Sequence, residues 1–378
     1  MNVVIAIDSF KGSLTTTEAA NAAADGIRRI YKNAQIQITP IADGGEGTSQ
    51  TLTLFKGGKM QNMTVLNPLG ERITAEYGIA DNTAIIEMAA TSGIALIDEK
   101  DRNPLNTTTY GVGMMISDAI EKGCRNFIIG IGGSATNDGG AGMLQALGFE
   151  FLDNLGNQVP YGAKGLKLIQ QIKSDNINPY LKDCKFTIAC DVKNPLCGEN
   201  GCSKIYGPQK GATPEMTIQM DEWMNHYADI TKKFNPSSSS EAEGAGAAGG
   251  LGFAFLSYLN SKLEPGIEMM IRETNLEEHI QNADIVITGE GRLDGQTSMG
   301  KVPAGIANIA KKHNKPVIAL SGCITDDAKN CNSFGIDAFF PIIKAPCSLN
   351  DAMNKENAIK NLSDAAEQVF RLIKTFKL

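Results

Sequence analysis

At 378 residues, with 42% hydrophobic and 20% charged residues, the chain has room for two or three domains at roughly 100 to 200 residues each and is excluded from the disordered and fibrous classes. A formal net charge of -7 argues against nucleic acid or an anionic membrane surface as a partner, while local Lys and Arg still allow a small anionic substrate. Eight cysteines without a C-x-x-C pair predict reduced, mostly buried thiols, and the three histidines (His226, His279, His313) lie in helical patterns, so no zinc site is expected.

In chain order, residues 3–7 form a continuous apolar run of the kind buried on both faces of a parallel sheet, ending in Asp8-Ser9-Phe10-Lys11-Gly12-Ser13. Thr15 and Glu18 have capping-box spacing, and Ala19, Ala20, Ala23, Ile27 and Ile30 mark the buried stripe of the helix that follows. A strand at 36–41 runs into Ala42-Asp43-Gly44-Gly45-Glu46-Gly47-Thr48, and a helix at 49–55 completes a βαβα start of doubly wound type. From 60 to 105 shorter alternating segments, including 84–88 and 93–97, read as antiparallel or mixed strands with a turn at Asn67-Pro68-Leu69-Gly70.

A helix is predicted at 111–122 and a strand at 125–129. Then comes GIGGSATNDGGAG (130–142), which packs six glycines, a Ser, a Thr, an Asn and an Asp between two ordinary elements. Glycines allow close backbone approach to a ligand, and amides at a helix start favour an anion. A hairpin is expected at 149–159 with its turn at Asp153, a strand at 186–190 ending in Asp191, and a long polar loop after it, VKNPLCGENGCSKIYGPQKGA. A helix at 215–231, a serine-rich linker at 235–240 and GAGAAGGLG (244–252) follow. The buried-strand pattern returns at 284–288, and strand and helix alternate to a final helix at 357–375.

The two ends match each other in pattern. The expected architecture is an α/β protein of two domains. A discontinuous, doubly wound Rossmann- or flavodoxin-like domain comprises 1–60 and 283–378, and a mixed α/β domain at 61–282 is inserted in it. The amino terminus carries an apolar run too short for a signal peptide, and the apolar tract 244–259 falls short of the roughly 20 residues needed to span a bilayer. A cytoplasmic protein with no membrane partner is the expectation.

Open α/β sheets bind ligands beyond the carboxyl ends of strands. Asp8, Asp43, Asp191 and the Glu290/Asp294 pair each lie at or just beyond such an end, in glycine-containing loops. Phosphoryl transfer needs carboxylates for Mg2+, amides and cations for phosphate oxygens, and a base aimed at the acceptor hydroxyl. Lys11, Lys193, Lys204, Lys210, Arg292 and Lys301 are the loop cations. Gly295 to Lys301 matches seven positions of a phosphate loop, but Val302 replaces the Ser or Thr that would bind Mg2+. Two other readings compete. Gly130-x-Gly132-x-x-Ala135 fits a loose dinucleotide fingerprint, for which Asp153 falls near the required spacing, though in a hairpin turn. A non-catalytic sugar-acid binder would not require so many loop carboxylates.

The set DSFKGSL (8–14), PIADGGEGT (40–48), IGGSATNDGGAGMLQALG (131–148), ACDVKNPLCG (189–198), YGPQKGA (206–212), GAAGGLG (246–252) and ADIVITGEGRLDGQTSMGK (283–301) resembles the bacterial glycerate kinases of the glycerate 2-kinase type, in order and over nearly the whole chain. Two departures are small: Cys202 where Ala is usual, and Tyr206 where Phe is usual. The resemblance implies ATP- and Mg2+-dependent phosphorylation of D-glycerate at its 2-hydroxyl, in a cleft between two domains. On that footing Asp191 is expected as general base and Lys11 as the neutralising cation, with Ser9, Lys193 and Asp43 binding substrate. Gly132, Gly133, Ser134, Thr136, Asn137, Gly139, Gly140 and Lys301 are expected at nucleotide phosphates, and Glu290 and Asp294 at Mg2+.

Overall fold

The computed structural model describes residues 1–42, 45, 47–295, 297 and 302–376. Its strands, in chain order, are β1 (Asn2–Ile7), β2 (Gln35–Ile38), β3 (Lys59–Leu66), β4 (Arg72–Ala80), β5 (Thr83–Glu87), β6 (Asn126–Gly130) and β7 (Glu150–Leu152). There follow β8 (Gln171–Lys173), β9 (Lys185–Ala189), β10 (Ser261–Glu264), β11 (Ile285–Leu293), β12 (Val317–Ile324) and β13 (Ala338–Pro341). The chain divides into two compact units, Met1–Asp43 with Ile267–Leu378, and Gly44–Gly266.

The first unit is built on a five-stranded sheet of order β13-β12-β11-β1-β2 in which every pair is parallel. Alternating residues cover both faces, as a sheet buried on two sides requires. Val3, Ile5 and Ile7 join Ala19, Ala23 and Ile27 of the helix Thr16–Ile30 and Leu362 and Phe370 of Lys355–Thr375. Val4, Ala6 and Val286 are buried on the other face, where Val302–Lys312 packs. The first helix starts with the predicted capping box: Glu18 N donates to Thr15 Oγ1 at 3.3 Å and Thr15 N to Glu18 Oε2 at 3.1 Å. From β1 the chain moves one way, to β2; from β11 it moves the other way, to β12 and β13. The order therefore reverses between β1 and β11, and a crevice is expected at their carboxyl ends.

The second unit holds a six-stranded sheet of order β10-β9-β6-β5-β4-β3. β3, β4 and β5 form an antiparallel meander, and β5, β6, β9 and β10 run parallel. The β3–β4 turn closes as expected: Gly70 N donates to the Asn67 carbonyl at 3.0 Å, and Asn67 Oδ1 takes the amides of Leu69 and Glu71. Phe127 and Phe186 stack at 4.7 Å within the core.

Four local expectations are revised. The helix Thr48–Phe55, expected to complete the first βαβα run, packs on β4 and β5, because Gly78 leaves room for Thr53 against the sheet. The division of the chain accordingly falls at 43/44 and 266/267, where 60/61 and 282/283 were expected. Residues 93–97 contain a single tight helical turn, Ile94–Leu96, because Ile94 N and Ala135 N are drawn into a bridge with the glycine loop. The chain turns at Asp153, yet the ladder partner of β7 is β8.

Candidate active site

β11 continues through the glycines that read as a loop, because Arg292 and Leu293 pair with Cys323 and Ile324 of β12. This carries Glu290 and Asp294 to the carboxyl edge of the first sheet. A cavity of about 490 Å³ opens there, lined at its polar end by Asp8, Ser9, Lys11, Glu290, Arg292 and Asp294 and at its apolar end by residues including Phe10, Ile342 and Met353. It sits at the switch point between β1 and β11. Thr297 couples the two carboxylate positions, with its Oγ1 donating to Glu290 Oε1 at 2.7 Å and accepting from Asp294 N at 3.1 Å. Arg292 Nε lies 3.7 Å from Asp294 Oδ2. Asp8 N extends the ladder to the Gly289 carbonyl at 2.9 Å, while Asp8 Oδ1 accepts from Ser9 N at 2.7 Å, fixing the start of the loop that presents Lys11.

In the second unit the parallel strands end in a comparable row: Glu87 closes β5, Gly132 and Gly133 follow β6, Asp191 follows β9 and Glu264 closes β10. Because Gly130 pairs with Ala189, Gly132 and Asp191 stand two residues beyond the same rung. Both are exposed, as is Gly133. Asp191 Oδ1 accepts from Gly266 N at 2.9 Å, and Lys193 Nζ lies 3.3 Å from Glu243. Ser49 N donates to Glu87 Oε1 at 2.6 Å.

Past Gly133 the glycine loop turns inward. Thr136, Asn137, Gly139 and Gly140 are buried, and Ser134 nearly so. Gly139 N donates to the Gly249 carbonyl at 3.0 Å and Gly140 N to Asp138 Oδ1 at 3.1 Å. Asn137 Nδ2 donates to Ser203 Oγ at 2.9 Å. The amides of Gly139 and Gly140 and the Nδ2 of Asn137 are thus engaged within the fold, where the expectation set these residues at nucleotide phosphates. The reason is steric: a Cβ on Gly139 would stand 2.7 Å from the Tyr227 ring, so this glycine admits a buried aromatic, not a ligand.

Asp138 organises this buried half. Its Oδ2 accepts from Thr109 N (2.8 Å), Thr109 Oγ1 (2.9 Å) and Gly142 N (3.3 Å), and burial raises its carboxyl pKa despite these donors. An Asn here must turn an NH2 group toward N–H donors in either orientation. Asp138→Asn is therefore expected to lower stability by about 2 to 4 kcal/mol in urea titrations, the range for leaving charged or donor groups unpaired in a core.

Of the predicted residues, Ser9, Lys11, Glu290 and Asp294 share the first unit's cavity, and Gly132, Gly133, Asp191 and Lys193 lie along the second unit's strand ends. Asp43 and Lys301 lie outside the described residues, as does most of the phosphate-loop match at 295–301. Among the described residues no three His, Cys, Asp or Glu side chains form a metal cage. Asp153 Oδ1 is engaged by the Leu155 and Asn157 amides, both at 2.9 Å, in its own turn, so the dinucleotide reading loses its acidic residue. Asp8 and Arg292, named among the strand-end acids and loop cations, were given no role, and Glu87 and Glu264 were not singled out for the site. The available signal was simple: Glu87 and Glu264 are the last residues of their strands, Glu87 being the first charge after an apolar run.

Carboxylates and cations gathered where parallel strands end, with open glycine amides on a strand end of the second sheet, define an α/β enzyme that handles small anions. The chain belongs to the glycerate kinase family, whose sequence profile, "Glycerate kinase family", matches residues 3–374. It is 46% identical to glycerate 2-kinase of Escherichia coli K12, over 98% of this chain and 97% of that one. It is 45% identical to a glycerate kinase of Haemophilus influenzae, over 99% of both. A crystal structure described as glycerate kinase 2 from Salmonella typhimurium LT2 superposes with a TM-score of 0.92 at 42% identity, covering 100% of this chain and 99% of that one.

Proposed function

We propose that this enzyme transfers the γ-phosphoryl group of ATP to D-glycerate, at the 2-hydroxyl, giving 2-phospho-D-glycerate and ADP. The observation that carries the reading is the convergence of Ser9, Lys11, Glu290 and Asp294 on one cavity at the β1/β11 switch point. Asp191 takes the acceptor hydroxyl proton as the oxygen attacks phosphorus, and the bond from the γ-phosphorus to the β,γ-bridging oxygen breaks as ADP leaves. The hydrogen bond from Gly266 N to Asp191 Oδ1 orients the carboxylate. Lys11 neutralises charge on the substrate, Ser9 and Lys193 orient it, and the amides of Gly132 and Gly133 face the nucleotide phosphates. We place the enzyme in the cytoplasm, where its eight unpaired cysteines stay reduced; among the described residues no helix is long and apolar enough to cross a membrane.

Glu290 and Asp294 fit Mg2+, which binds through one or two carboxylates together with substrate phosphates and needs no all-protein cage. The ion would supply charge neutralisation at the phosphates. Glu290→Gln and Asp294→Asn are expected to raise the Mg2+ concentration for half-maximal rate on the order of 10- to 100-fold, as loss of a well-oriented metal partner does elsewhere. An unchanged Mg2+ titration would remove these residues from that role.

The decisive experiment mixes the protein with D-glycerate, ATP and Mg2+, follows ADP by a coupled assay, and reads the phosphate position by 31P NMR. Absence of ADP release refutes the activity, and a 3-phosphate product refutes the regiochemistry.

A further inference from the structure

Lys210 is 2% exposed, in a motif otherwise made of turn residues. Its Nζ donates to Ser134 Oγ at 2.7 Å and to the Thr136 carbonyl at 2.6 Å. Both partners are neutral. Among the described residues no carboxylate touches the ammonium, which is unusual for a buried lysine. Two titratable groups face it: Cys202, from the helix Cys202–Tyr206, and Asp138, from the glycine loop. Asp138 is already engaged with Thr109, Gly140 and Gly142, and burial pushes the Cys202 thiol up to about 11, so it is neutral at physiological pH. The neighbouring helix Ala247–Tyr258 carries no charged residue. Burial draws Lys210 itself down to about 8.

The loop that Lys210 grips is the one whose outer face exposes Gly132 and Gly133. The exposed Gly133 is the residue directly before the gripped Ser134. A fixed cation under open amides lacks only an anion on the outer side to answer it.

We propose that Lys210 is a positioning residue for nucleotide binding: it clamps residues 134–136 from the buried side, and its charge is answered by the phosphates of a nucleotide seated at Gly132 and Gly133. The role rests on the nucleotide assignment made above. It has a consequence that a purely structural lysine lacks. A bound polyphosphate favours the ammonium form, so near the pH at which free Lys210 is partly neutral, nucleotide binding takes up a proton.

The test is calorimetry of the full chain with Mg2+-free ADP, whose phosphates are already ionised at that pH, in two buffers of different ionisation enthalpy, with D-glycerate as the second arm. Wild type is expected to take up a fraction of a proton with ADP and none with D-glycerate. Lys210→Gln keeps donors for Ser134 and Thr136 without the charge; it is expected to take up no proton and to bind ADP at least tenfold more weakly. Should that variant fail to fold, the KM for ATP of the wild type, rising as pH passes about 8 while kcat holds, is the second readout. ADP binding without proton uptake, uptake with D-glycerate instead, or an unchanged ADP Kd in Lys210→Gln overturns the role. Failure here with turnover intact leaves the kinase activity standing, whereas absence of turnover in the coupled assay removes the activity itself.

Discussion

Asp191→Asn is expected to lower kcat roughly 10²- to 10⁴-fold, the contribution of a general base, while leaving the melting temperature within a few degrees. The separation of the two effects follows from its setting. Asp191 is exposed, beyond the end of β9, and the amide of Gly266 that it accepts can equally be accepted by the Asn carbonyl oxygen. The substitution therefore removes basicity and retains shape. Stopped-flow or steady-state measurement of kcat, beside thermal denaturation, checks it. A kcat within about threefold of wild type in a folded protein, less than ~1 kcal/mol in activation free energy, would take the role of base away from this residue.

The second large effect concerns stability. Gly249→Ala is expected to cost about 3 kcal/mol or more, or to prevent folding, because two penalties combine. Gly249 has φ of +66°, and a Cβ built on it falls 2.0 Å from the Thr136 carbonyl oxygen, in the backbone of the facing loop. Ala248, Gly249 and Gly250 form a left-handed turn, and the glycine loop lies directly on it, with Gly139 N bonded to the Gly249 carbonyl. Neither backbone can retreat without breaking that bond. Gly132→Ala is the control from the opposite face of the same loop, where the nearest atom to a new Cβ is Gly45 Cα at 3.9 Å. Its stability is expected to stay within about 0.5 kcal/mol of wild type while the KM for ATP rises. Urea denaturation of the pair, with KM measured on the folded variant, distinguishes packing glycines from ligand-facing ones. Equal destabilisation by both would erase the distinction drawn between the two halves of the loop.

The reading of 130–142 as one ligand loop shows where pattern alone reaches its limit. Composition marks a segment that needs glycine, but glycine is required both where backbone meets ligand and where backbone meets backbone. Gly132 and Gly139 look alike in the sequence; only the Tyr227 ring and the Gly249 turn, brought in from more than 80 residues away, separate them. Lys210 and Asp138 carry the same lesson for charge. A lysine in a glycine- and proline-containing loop reads as solvated, and an aspartate after Asn reads as a turn former. Here both are interior, because the helices Cys202–Tyr206 and Ala247–Tyr258 close over the loop.

Parallel-sheet character, by contrast, was visible directly: runs such as 3–7 and 284–288 have no polar alternation because both of their faces are covered. So were the capping box at Thr15, the Asn67 turn, and the recurrence of acidic residues at strand ends, since each depends on residues close in the chain. Order along the chain also carried the family, through motifs spread over nearly its full length. Tertiary structure alone supplied the strand order, and hence the switch point between β1 and β11 that gathers Ser9, Lys11, Glu290 and Asp294 into one cavity. Those residues are some 280 positions apart, and no local preference encodes which strands become neighbours. It also supplied the assignment of helix Thr48–Phe55 to the second sheet, because a helix's apolar face specifies that it must be covered but not by which sheet.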